Sequence, residues 1–205
     1  MLQSPEIRSF LVEIDSFMYK SHHRVYREVI LSILKKLLEE PNTSSIAMRR
    51  WFVLTDPPKK GYNDYTLLAR VPLWRHSVNV SKKYIYMHFD DGLYDAMTFF
   101  TGLIASMGHD YGKLMRLRPP NYQKNDHPII GAKALQELIG REQVGEYIKT
   151  CILTAIEFHH RPFDVVHNNY ARSIARRVAA ADWAARQDEL IQEKLKVHSN
   201  NASGN

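Results

Sequence analysis

The chain has 205 residues, a formal charge of +6, 44% hydrophobic residues and a single cysteine. That is room for one domain with an extension, enough apolar residues for a full core, and too few thiols for a disulfide framework or a thiolate-rich metal site. The longest uncharged apolar run, Ala96 to Gly108, is 13 residues, short of the ~20 that cross a bilayer, and no apolar stretch follows a basic leader. The expectation is therefore a cytoplasmic protein without membrane contact. The positive charge raises the odds of phosphate-bearing partners, but no basic run exceeds two residues, so solvated helix faces account for it as readily as nucleic-acid binding does.

Apolar residues recur at helical spacing almost throughout, which predicts an all-α protein. Helices are expected over Glu6 to Lys20, opened by Pro5, and over Arg24 to Glu40, closed before Pro41. Asn42 to Ser45 offer cap residues for a short third helix, and Trp51 to Leu54 read as a short strand with no evident partner. Thr55 to Asp64, with two prolines and a glycine, is the strongest loop signal and sets a soft boundary between residues 1–63 and 64–196. Beyond Pro72, Leu73, His76, Val80, Tyr84 and Met87 share one helix face. Phe99, Leu103, Ser106 and Asp110 share another, on a helix expected to end at Gly112. His127 enters a helix running through Leu138. Val144, Ile148, Ile152, Ala155 and His159 line a helix stopped by Pro162, with Cys151 packed inside it. Ile174, Val178, Ala181 and Ala185 face inward on an Ala-rich helix to about Lys196, and residues 197–205 are expected to be a flexible tail. The first two helices, with Phe10, Ile14, Phe17, Val29, Ile33 and Leu37 at core spacing, either pack on the rest or form a homodimer interface.

Five of the ten histidines, His76, His109, His127, His159 and His160, fall at the inward faces or ends of these helices, together with Asp110 and Asp182. One buried imidazole can satisfy both nitrogens on backbone groups. Burying several beside two carboxylates costs several kcal/mol per unpaired charge, and a bound cation removes that cost. The intervals between these residues are each about one helix and its loop, so neighbouring helices can deliver all seven to one end of a bundle. Nitrogen and carboxylate ligands without thiolate favour one or two divalent Fe, Mn, Ni, Co or Zn ions, and Asp110, beside His109, can bridge a pair. His159 lies in phase with the apolar face and is the safer ligand; His160, rotated by one residue, binds metal, a bridging water or substrate. His22, His23, His88 and His167 read as surface or loop residues.

The string Gly108-His109-Asp110-Tyr111-Gly112-Lys113 resembles the signature doublet of the HD superfamily of metal-dependent phosphohydrolases, with His76 upstream and Asp182 downstream. His127-Pro-Ile-Ile-Gly-Ala-Lys-Ala-Leu and Glu157-Phe-His159-His160-Arg-Pro-Phe-Asp164 are similar to segments of its binuclear branch, which includes HD-GYP domains. The resemblance covers roughly Leu67 to Leu190 and implies a helical bundle that hydrolyses phosphomonoesters or phosphodiesters, often of nucleotides. It implies a first metal site of His76, His109, Asp110 and Asp182, and a second of His127 with His159, His160 or both beside a bridging Asp110. Lys113 matches a lysine that would neutralise substrate phosphate, and Arg116, Arg118 and Arg161 flank the ligands as phosphate-binding candidates. The sequence departs from the branch at Val165-Val-His-Asn-Asn-Tyr170, where a Gly-Tyr-Pro element is expected, and at Pro72, where a glutamate would recruit a third ion. The expected mechanism is attack by a metal-activated hydroxide, with Asp110 and Lys113 as the catalytic residues. The alternative is a non-catalytic regulatory or nucleic-acid-binding module with a structural or sensory metal site.

Overall fold

The computed structural model describes residues 4–18, 23–46, 63–92, 95–123, 125–141 and 144–202. Among them the fold is all-α, with eight helices and no strand. The helices are α1 (Pro5–Ser16), α2 (Arg24–Leu38), α3 (Asp64–Leu68), α4 (Leu73–Asp90), α5 (Ala96–Gly108), α6 (His127–Arg141), α7 (Glu146–Phe158) and α8 (Asn169–Ala202). Short 3-10 turns occupy Tyr111–Lys113, Met115–Leu117 and Phe163–Val165. No helix of the described residues is long and apolar enough to cross a membrane.

Caps written into the sequence start several helices. Ser4 Oγ accepts from Ile7 N ahead of Pro5, Asn63 Oδ1 accepts from Thr66 N, and the Asp95 carboxylate accepts from Met97 N and Thr98 N, each relieving an orphan first-turn donor. The apolar α5, buried from Phe99 to Gly108, is the central rod, with α2, α4, α7 and α8 packed around it. Its glycines make that closeness attainable: Tyr84 of α4 lies across Gly102, where a Cβ would meet its hydroxyl oxygen at 1.9 Å, and Tyr84 donates to the Thr98 carbonyl at 3.0 Å.

One contiguous core runs from Ile7 in α1 to Ala185 in α8. The N-terminal helices therefore pack on the bundle: Val29, Ile30, Ile33, Leu34 and Leu37 of α2 are fully buried against it. Helix ends differ from expectation. α1 stops at Ser16, capped by Phe17, α2 stops at Leu38, and α6 runs on to Arg141. α5 ends at Gly108, because Asp110 leaves helical geometry (φ −101°, ψ 8°) to open the following 3-10 turn. α8 continues to Ala202 through residues expected to fray; no Pro or Gly interrupts it, and Ser199 Oγ donates to the Lys196 carbonyl. Residues 41–46 form a turn rather than the opening of a third helix, and Ser44 makes an isolated bridge to Pro72, secured by Ser45 N to the Val71 carbonyl (2.9 Å) and Leu73 N to the Thr43 carbonyl (2.7 Å). The continuation of that expected helix, the expected strand Trp51 to Leu54 and most of the loop from Thr55 lie outside the described residues.

His23 and His88, expected at the surface, are buried at 2% and 1% exposure. Aromatic packing explains both: His23 lies 4.8 Å from Phe100 and His88 5.2 Å from Phe99, ring centroid to centroid. His167 is exposed, as expected, and His22 lies outside the described residues. Cys151 is buried.

Candidate metal centre

The seven residues singled out by spacing meet at one end of the bundle. His76 comes from the second turn of α4, His109 and Asp110 from just beyond α5, His127 from the first residue of α6, His159 and His160 from just past α7, and Asp182 from the middle of α8. All but His160 are buried; its side chain is 45% exposed and forms the rim.

Asp110 organises the cluster by dividing its two oxygens. Oδ2 faces His109 Nε2 at 3.3 Å and His76 Nε2 at 3.5 Å; Oδ1 faces His127 Nε2 at 3.0 Å and His159 Nε2 at 3.8 Å. Asp182 Oδ1 adds to the first group, 3.0 Å from His76 Nε2 and 3.8 Å from His109 Nε2. Its Oδ2 lies 3.8 Å from His160 Nε2. Ligand atoms of Asp110, His127, His159 and His160 lie within 4.8 Å of one another, as do those of His76, His109 and Asp110, and those of His109, His159 and Asp182. Donors about 2.1 Å from a shared ion stand about 3 to 3.5 Å apart, so the shortest spacings here are those of a ligand shell.

Hydrogen bonding behind the rings aims them inward. Nδ1 of His109 contacts the Ser106 carbonyl (2.8 Å) and Nδ1 of His159 the Ile156 carbonyl (2.6 Å), while Nδ1 of His76 faces the Glu189 carboxylate at 3.0 Å. These oxygens only accept, so Nδ1 carries the hydrogen and Nε2 of the neutral ring presents a lone pair. Nε2 of His76 and Nε2 of His109 then oppose each other at 3.2 Å, and His159 Nε2 is buried with no hydrogen-bond partner among the described residues. Lone pairs and carboxylate oxygens buried together are costly unless a cation meets them, and buried His/Asp groups in this arrangement can hold a metal ion.

Protonation preferences follow the same logic. Burial alone would raise the Asp110 carboxyl, but Lys113 and His109 outweigh it and hold the group well below the ordinary range. Asp182 is likewise held low against burial by His76 and His109, and Glu189 by His76 and Arg186. Burial and Arg186 work against a charge on His76, yet Glu189 and Asp182 prevail and raise its pKa. Burial lowers His127 despite Asp110, and loss of water together with His159 pushes His160 down to about 3.

The cations expected to grip phosphate are placed differently. Lys113 is buried and faces inward, donating to Asp110 Oδ2 at 2.6 Å and to the Ser45 carbonyl at 2.8 Å. Arg116 is drawn away to the end of α2, where Glu40 Oε1 (3.0 Å) and the Lys36 carbonyl (3.2 Å) bind it. Arg118 braces the Lys113 carbonyl. Arg161, beside His160 in the chain, is partly exposed and contacts Glu157 at 3.4 Å. Sequence reasoning missed three residues. Glu189 supports His76 from behind and accepts from Asn79 Nδ2 at 2.9 Å. Arg186 lies within 3.6 Å of Asp110, Asp182 and Glu189, and Ser45, fully buried, takes its Nη1 on Oγ at 2.6 Å. Arg186 and Glu189 sit four and seven residues after Asp182, so helical spacing alone puts all three on one face; Ser45 has no local signal.

Set against family models, curated proteins and solved structures, the chain matches none of them.

Proposed function

We propose that this chain is an HD-type metal-dependent phosphohydrolase that cleaves a phosphomonoester or phosphodiester, that of a nucleotide foremost, at a binuclear centre. The observation that carries the reading is the split of Asp110: one carboxylate oxygen faces His76 and His109, the other His127 and His159. That is the placement a bridging ligand needs, and it falls on the residue that the motif resemblance marks. In this reading His76, His109, Asp182 and Asp110 would hold one divalent ion, and His127, His159, His160 and the shared Asp110 a second, drawn from Fe, Mn, Ni, Co or Zn.

Such ions supply electrophilic chemistry: they polarise a phosphoryl oxygen and make water acidic enough to attack near neutral pH. The protein's own residues do the rest. The carbonyls of Ser106 and Ile156 and the Glu189 carboxylate fix the imidazole tautomers. Lys113 keeps Asp110 ionised and oriented. His160 and Arg161, at the open rim, are the groups an incoming phosphoester meets first.

A second reading, a regulatory module with a structural or sensory metal site, gains support from one observation: Lys113 is turned inward instead of toward solvent. A hydrolysis screen over nucleotides, cyclic dinucleotides and simple phosphoesters, run on metal-reconstituted protein with Asp110→Ala as blank, separates the two. Turnover lost in the blank supports the hydrolase; metal uptake with no turnover on any phosphoester favours the module.

A further inference from the structure

Building on the metal-dependent reading above, we propose that Arg186 is a positioning residue: its fixed charge, locked against Ser45, holds Asp110 and Asp182 in place and weakens the hold of the His76–His109 half on its divalent ion.

The geometry points there in three steps. First, Arg186 is almost enclosed, at 13% side-chain exposure, and reaches both carboxylates of that half: Nη2 is 3.4 Å from Asp110 Oδ2 and Nε 3.6 Å from Asp182 Oδ1. These are the two oxygens that an ion held by His76 and His109 would use. A guanidinium does not shed its proton at any ordinary pH, so its charge stays beside the ion, and like charges a few ångströms apart in a poorly hydrated interior repel strongly.

Second, Arg186 is anchored. Nη1 donates to Ser45 Oγ at 2.6 Å and Nη2 to the Ser45 carbonyl at 2.8 Å, and the Ser45 backbone is tied to Val71. Third, the effect is one-sided. Oδ2 of Asp110 carries Lys113 and Arg186, whereas the contacts of Oδ1 are the imidazoles of His127 and His159. The two halves therefore share one carboxylate but not its counter-charges. Arg186 also partly neutralises the carboxylates before any ion arrives, which lets the metal-free chain fold around them.

Three proteins, the natural chain, Arg186→Met and Arg186→Lys, are stripped of metal and titrated with Mn2+, with calorimetry for affinity, elemental analysis for stoichiometry and thermal melting with and without Mn2+. In Arg186→Met the metal-free midpoint falls by several degrees, Mn2+ restores most of it, and one Mn2+ binds about tenfold tighter or more. Arg186→Lys, which keeps the charge, stays close to the natural chain in Mn2+ affinity. If Arg186→Met does not fold without metal, refolding in Mn2+ reads the same quantity: recovery supports the proposal and failure to recover overturns it. Equal loss of midpoint with and without Mn2+, no gain in affinity, or Arg186→Lys behaving as Arg186→Met shows a mere brace and overturns it. None of these readouts uses hydrolysis, so an inactive chain that binds Mn2+ in this pattern counts against the hydrolase alone. A natural chain that takes up no Mn2+ overturns both.

Discussion

Asp110 has an oxygen in each half of the centre, so its carboxylate cannot be replaced without loss on both sides. Asp110→Asn keeps the shape but removes the negative charge and exchanges one acceptor for a donor aimed at imidazole nitrogens. On the hydrolase reading proposed above, elemental analysis of the purified variant is expected to find neither ion retained, and turnover is expected to fall by about a hundredfold or more. Retention of one full equivalent would mean that the two groups of ligands are independent. His88 offers a cleaner test of burial, away from the ligands. Its Nδ1 is buried without a partner among the described residues, and burial, aided by Arg177, lowers its pKa. A histidine whose folded pKa is depressed is protonated first in the unfolded chain, so part of the fold's stability is lost as pH falls below about 6.5. His88→Leu removes that liability. Denaturant melts at pH 7 and pH 5 are expected to differ less in the variant than in the natural chain; an unchanged difference would show that His88 finds a partner on acidification.

The doublet and α6 meet through glycine. A Cβ at Gly112 would stand 2.1 Å from the His127 carbonyl oxygen and 2.6 Å from Gly131 N, both backbone atoms that do not swing aside. Gly112→Ala is expected to lower stability by about 1–3 kcal/mol and to move His127 off Asp110. Metal content should then fall toward one equivalent, with the His76–His109 half kept; two equivalents at full affinity would mean that the 3-10 turn absorbs the methyl. α8 teaches a different lesson about what a sequence discloses. Its apolar face and Asp182 were readable from spacing, as were the seven converging side chains, because ligand types are rare and their intervals match helix lengths. Arg186 and Glu189 lie on the Asp182 face too, yet a charged residue on a polar helix looks solvated until the neighbour that buries it is known. His88 follows Val80 and Tyr84 by fours and stands between Met87 and Phe89, a buried face that could have been read. Ser45 could not be found, since its partners Lys113 and Arg186 lie 68 and 141 residues away.

The N-terminal helices share the main core, so they are part of the folding unit and not an appendage. The fully buried Val29, Ile30, Ile33, Leu34 and Leu37 each contribute roughly 1.5–3 kcal/mol by area, a sum comparable to the whole stability of a typical domain, ~5–15 kcal/mol. A chain lacking residues 1–40 is expected to lose its cooperative thermal transition even with Mn2+ present. A sharp transition in the truncated chain would show that residues 41–205 fold without α1 and α2.

The pairing of Ser45 with Arg186 also dictates when the centre can exist. During synthesis the first imidazole, the doublet, His127 and the histidine pair all leave the ribosome before α8 does, so the nascent protein has most of the cluster's side chains before Asp182 and Arg186 are made. A complete cluster is thus a product of finished translation, because α8 supplies both Asp182 and the core residues that gather the other helices.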